Sequence, residues 1–166
     1  MTLGFDASTT TCGWAFVENG QIKDCGFIDI SKYSTNKEKV LHVIQILNSH
    51  DLIKKVDKIN LEAALSGFAG GFTSQQVIIK LARFNALFEY IISEHWKLPV
   101  NLLSVNTARK QVFGKCRIKG IKSKDFVFKE IHAKFPDIKK FEKVNKKNNW
   151  DIKNADMFDA IVIACA

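Results

Sequence analysis

The chain has 166 residues, 46% hydrophobic and 25% charged, an ordinary globular composition long enough to bury a core as a single domain over 1–166. Twenty-five Lys and Arg against 17 Asp and Glu leave a net charge of +8, which favours a polyanionic partner without excluding a small substrate. The four cysteines (Cys12, Cys25, Cys116, Cys165) contain no C-x-x-C pair, which argues against a zinc cluster and for a reducing compartment.

Three strand-like runs come first, at Thr2–Asp6, Gly13–Glu18 and Gln21–Asp29. No basic segment followed by an apolar stretch precedes them, so no secretory leader is expected. Asn19-Gly20 between the second and third runs is a tight-hairpin signal. "NKEKVLHVIQILNSH" spaces Val40, Leu41, Val43, Ile44 and Leu47 as an amphipathic helix, and a fourth strand follows at Lys58–Glu62. A glycine-bearing loop, "SGFAGGF", leads into a long helix predicted over 73–94. That helix is too often interrupted, by Lys80, Arg83, Asn85 and Glu89, to span a membrane. It is also apolar enough to be covered on more than one side, either wholly inside the fold or partly by a partner subunit. "PVNLLSV" reads as a fifth strand, and helices follow around Thr107–Phe113 and Lys124–Phe135. Residues 136–150 are rich in lysine and asparagine and read as a loop; a last helix starts near Asn154. A meander of three strands followed by α/β alternation predicts a mixed five-stranded sheet flanked by helices, an α/β fold.

Asp6 ends the first strand, where a carboxylate is unfavourable unless something pairs with it. Three more acids stand in comparable places. Glu62 ends the fourth strand, and Asp156 and Asp159 share one face of the last helix at i, i+3, next to the apolar run Ala160–Cys165. Each alone reads equally well as a turn, cap or strand-end residue. Together they would repel unless a hard divalent cation, magnesium above all, compensates them.

With these residues in view, the sequence resembles the RuvC family of Holliday-junction resolvases, of the ribonuclease-H-like superfamily, over nearly its whole length. "LGFDASTTTCGWAFVENGQ" is similar to the family's first motif, "INLEAAL" to its strand-four motif, and "DMFDAIVIACA" to its closing D-x-x-D-A pattern. The resemblance implies a ribonuclease-H-like fold with Asp6, Glu62, Asp156 and Asp159 as catalytic ligands of two Mg2+ ions, replaceable by Mn2+. It implies a homodimer formed through the helix at 73–94, and paired nicking of four-way DNA junctions to leave 5′-phosphate and 3′-hydroxyl ends. It also places phosphate-contacting lysines at Lys110 and Lys124, with Lys115, Arg117, Lys119 and Lys122 making the loop between them basic. Lys139, Lys140, Lys143, Lys146 and Lys147 read equally as solvated loop or DNA contact.

Two departures from the family pattern are visible. Ala7 and Ser8 stand where it has proline and glycine, and Leu65 stands where many members carry an aromatic that intrudes among junction bases. Phe68 and Phe72 are the nearby aromatics able to stack on a base. These departures suggest a divergent, viral-type branch acting in the cytoplasm of a bacterium or a phage-infected cell. The weighed alternatives are a nuclease for structured RNA, a non-catalytic nucleic-acid-binding module, and an actin-like ATPase, which needs two such domains.

Overall fold

The computed structural model describes residues 1–64 and 75–166. Phe68, Phe72, Leu65 and the "SGFAGGF" segment lie outside the described residues. Five strands form one sheet: β1 Thr2–Ala7, β2 Thr11–Glu18, β3 Gln21–Asp29, β4 Lys58–Glu62 and β5 Val100–Leu103. Their order is β3-β2-β1-β4-β5, with β1–β2 and β2–β3 antiparallel and β1–β4 and β4–β5 parallel. This is the mixed sheet the element order predicts. The hairpin turns at Asn19 and Gly20, both at positive φ (52° and 72°), the geometry of the tight turn that Asn-Gly favours.

Among the described residues there are five α-helices, α1 Asn36–Asn48, α2 Gln75–Trp96, α3 Val105–Phe113, α4 Ser123–Lys134 and α5 Asn154–Cys165, with α5 lying on the sheet and α3 and α4 packed on α5. α1 starts on a reciprocal cap. Thr35 Oγ1 accepts from the Glu38 amide at 3.2 Å, and Glu38 Oε2 accepts from the Thr35 amide at 2.9 Å. α2 buries only the stripe Phe84, Phe88 and Ile92, leaving Ile79 51% and Tyr90 65% exposed. The wholly buried reading of this helix is thereby excluded: one stripe faces the sheet, and apolar side chains remain on its outer surface. Residues 136–150 are more ordered than their composition suggests. They hold a 3-10 turn at Pro136–Phe141 and an antiparallel bridge between Val144 and Trp150.

Side-chain alternation along the strands sorts the two faces of the sheet. Leu3, Phe5, Trp14, Phe16, Ile59 and Leu61 pack with α1 and α2 in one core cluster. On the other face lie Gly4, Gly13, Ala15 and Val17, against which α5 packs with Met157, Ile161 and Ala164. The approach there is close. A Cβ built on Gly4 would stand 2.4 Å from the Ala160 carbonyl oxygen, and one on Gly13 2.1 Å from that of Asp156. Only glycine lets helix and strand backbones meet this closely. Asn60, buried in the middle of β4, donates to the Ile163 carbonyl at 2.9 Å and fixes the far end of α5.

Candidate functional site

Strand parity decides where the acids go. Asp6 follows Gly4 and Glu62 follows Asn60 by two residues, so both carboxyls project on the α5 face. The parallel register aligns Phe5 with Leu61, so the following residues, Asp6 and Glu62, end adjacent strands side by side. Their carboxyls are in hydrogen-bond contact. α5, held by the two glycines and Asn60, supplies Asp156 and Asp159 from its first two turns. The four acids named from the sequence therefore converge.

Their electrostatics follow from that convergence. Burial pushes Asp6 well above the ordinary carboxylate range, and the charges of Glu62, Asp159 and Asp156 push it further. Glu62 is raised to about 7 by burial first and Asp159 second, against an opposing pull from its bond to Asp6 and from Arg109. Asp156 is raised by burial, with Lys124 pulling the other way and Asp159 adding to the rise.

Two basic residues reach the cluster. Arg109, buried on α3, donates from Nη2 to Asp159 Oδ1 at 2.8 Å and from Nη1 to Ser123 Oγ at 2.6 Å. Its Nε is buried with no hydrogen-bond partner among the described residues. α3 is placed for this by its cap: Ser104, directly after β5, accepts from the Thr107 amide at 3.1 Å. Lys124, in the first turn of α4, lines a cavity together with Asp159.

Sequence reasoning named Lys110 and missed Arg109. Lys110 is exposed on the outer side of α3, and its neighbour takes the inward place. The signal was available, because Ala108, Val112 and Phe113 mark the stripe of α3 that faces the core, and residue 109 lies within it. Lys115 is held by Glu130 at 2.9 Å, whereas Arg117, Lys119 and Lys122 are exposed along the same loop.

Do these residues suit a divalent cation? The donors are hard carboxylate oxygens, and Asn85 adds an amide oxygen. Asn85 lines a 150 Å³ cavity with Asp6 and Glu62, and its Oδ1 is buried without a partner among the described residues. The chemistry fits magnesium. Among the described residues, however, no three acidic, histidine or cysteine side chains already form a metal cage. The reason is visible in the pairing: Asp6 and Glu62 are engaged with each other, and Asp159 with Arg109. Asp6, Glu62 and Asp159 would hold a cation here once the first pair gave up its shared proton and Asp159 turned from Arg109.

No protein-family model matches the chain, and no curated protein matches it. Solved structures do. The fold is an α/β fold of ribonuclease-H-like type, a mixed five-stranded sheet with flanking helices. Within that class it is the fold of the RuvC-type resolvases. Thermus thermophilus RuvC is 14% identical at a TM-score of 0.60, over 99% of this chain and 90% of that one. T. thermophilus RuvC in complex with a Holliday junction substrate gives 0.61 at 14% identity over the same shares. The yeast mitochondrial Holliday junction resolvase Ydc2 gives 0.59 at 15% identity, over 99% of this chain and 75% of that one.

Proposed function

We propose that the chain is a magnesium-dependent endonuclease that cuts branched DNA, four-way junctions in particular. The observation that carries this reading is the convergence of Asp6, Glu62, Asp156 and Asp159, from two strand ends and one helix, close enough that, with burial, their charges raise the pKa of Asp6, Glu62 and Asp156. These acids, with Asn85 beside them, would hold one or two divalent ions. When bound, such ions supply Lewis acidity for phosphodiester hydrolysis at neutral pH.

The chain's own residues do the rest. Arg109 and Lys124 stand at the rim of the acids, where their donors meet the non-bridging oxygens of a phosphate and offset charge developing on it. Exposed Arg117, Lys119 and Lys122 extend the positive surface along the backbone of a nucleic acid, a contact that holds without reading sequence. The apolar outer face of α2, with Ile79 and Tyr90, is the surface proposed for a homodimer that nicks two strands. A reducing cytoplasm is the proposed setting, in keeping with four free cysteines.

The test is cleavage of synthetic four-way junctions, flaps, plain duplex and structured RNA, with Mg2+, with Mn2+ and with chelator. The expected result is metal-dependent cutting of branched DNA. Asp6→Asn should lower it by at least about 10²–10³-fold while junction binding survives. Equal cutting of plain duplex removes the branch selectivity, preferential cutting of RNA moves the substrate class, and full activity in Asp6→Asn overturns the reading.

A further inference from the structure

A half-open cavity of about 270 Å³ borders the acid cluster and shares Asp159 and Lys124 with it. Phe128, Trp150 and Phe158 form its aromatic walls, and Asp125 adds a carboxylate. Phe158 is buried in the core, whereas Phe128 and Trp150 keep 42% and 39% of their surface exposed. The three rings stand at 5.7 Å (Phe128–Trp150), 6.1 Å (Phe128–Phe158) and 6.1 Å (Trp150–Phe158) between centroids.

These exposed rings are fixed in place. The Trp150 indole N–H donates to Glu142 Oε2 at 2.8 Å. Glu142 Oε1 lies 2.6 Å from His132 Nε2, and the His132 ring sits on Phe128 at 4.1 Å. The segment carrying Trp150 is clamped as well. Val144 bridges Trp150, and buried Asn154 both accepts from the Lys143 amide at 3.0 Å and donates to its carbonyl at 2.8 Å. Large apolar rings held open to water beside a charged site are unfavourable until something covers them.

The surroundings identify the cover. Lys124 stands at one edge of the cavity, and exposed Lys143, Lys146 and Lys147 lie on the Trp150 segment. The occupant therefore pairs a planar, apolar-faced group with a negative charge, which is the description of a nucleotide. We infer that this cavity receives one unstacked base of the DNA strand whose phosphate lies at the Asp159–Lys124 edge. Trp150 and Phe128 supply the stacking faces, and Asp125 an acceptor for exocyclic amino groups. Bases inside a duplex are already stacked, while a base at a branch point has lost a neighbour and leaves its stack more easily. Trp150 is thus a specificity-determining residue for branched over plain DNA. The inference rests on the nuclease reading for its substrate, and on the rings alone for its binding.

Metal-free binding separates the two. In chelator, the parent chain should bind a fluorescent four-way junction about 5- to 150-fold more tightly than one whose branch-point nucleotides are abasic, the range given by stacking one base on an aromatic face. Trp150→Ala should abolish that difference, and Trp150→Phe should keep most of it. Equal affinity of the parent for intact and abasic junctions overturns the inference, whatever the variants do. So does a Trp150→Ala chain that weakens on both substrates alike. A parent that discriminates the base but cuts nothing in Mg2+ overturns the nuclease reading and upholds the base pocket.

Discussion

The two faces of the sheet are built on opposite plans. On the α1 and α2 face, contacts run through large rings: Phe5 meets Phe88 edge-on at 5.2 Å and stacks with Trp96 at 6.2 Å. On the α5 face the backbones themselves touch, through Gly4 and Gly13. The first plan makes a deep apolar core, with the Lys39 ammonium held at its border by the Thr9 carbonyl. The second brings a helix so near the strand ends that acids from both must share one space. Both faces carry a buried apolar core, and the candidate chemistry lies on the α5 face alone.

Substitutions can break that contrast, and the largest effect is expected on the aromatic face. Phe88 is fully buried, and Phe88→Ala should cost about 3–5 kcal/mol of unfolding free energy in urea titration. Mg2+ affinity of the molecules that remain folded should stay unchanged; loss of that affinity with the fold intact would show the faces to be coupled.

Gly13→Ala tests the other face. Its new Cβ meets the Asp156 carbonyl, which is backbone and cannot swing aside. A loss of about 1–3 kcal/mol is expected, with a fall in junction cleavage from a residue that bears no functional group. Gly26→Ala makes the control, because its Cβ meets the edge of the Trp14 ring, at 2.9 Å. It should leave cleavage near the parent level.

The acids themselves predict a pH dependence confined to the α5 face. Asp6 and Glu62 are both held above their unfolded range, so their protonated forms favour the folded chain. In chelator that contribution is complete below about pH 4 and is lost as pH rises toward about 7 and beyond. Melting temperature should therefore fall across this window in the parent, less in Asp6→Asn, and Mg2+ should restore it at pH 8 but not at pH 4. A parent and variant with parallel profiles would place the shared proton elsewhere.

The smallest effect sharpens the assignment of Arg109 over Lys110. Lys110→Ala should move stability by no more than about 0.5 kcal/mol. It should leave the maximal cleavage rate intact, whether or not the lysine adds to the salt dependence of binding. A hundredfold loss of that rate would return Lys110 to the site.

Much of the fold was legible because its signals are local. Asn19-Gly20 needs only its own two residues to turn, and the alternation of Leu3 and Phe5 with Gly4 and Asp6 already separates the two faces. The meeting of Asp6 with Glu62 and the α5 pair was read from motifs, and parity supplies the physical reason for it. Arg109 was passed over because a motif match says nothing of which side of a helix a residue occupies, and it is the inward side of α3 that reaches Asp159. α2 was open to misreading since its composition is more apolar than the stripe it buries. Trp150 escaped because its order comes from distant partners, Glu142 through His132 and Asn154 through Lys143. A lysine-rich stretch carries no local trace of such contacts.

The seating of α5 by Gly4, Gly13 and Asn60 bears on ancestry. A chain that kept all four acids and gained side chains at the two glycines would present the same motif letters with the helix lifted away. Its carboxylates would no longer share a pocket. Kinship in chemistry should thus be judged by these three silent positions together with the acids, since they set the spacing that the acids only use.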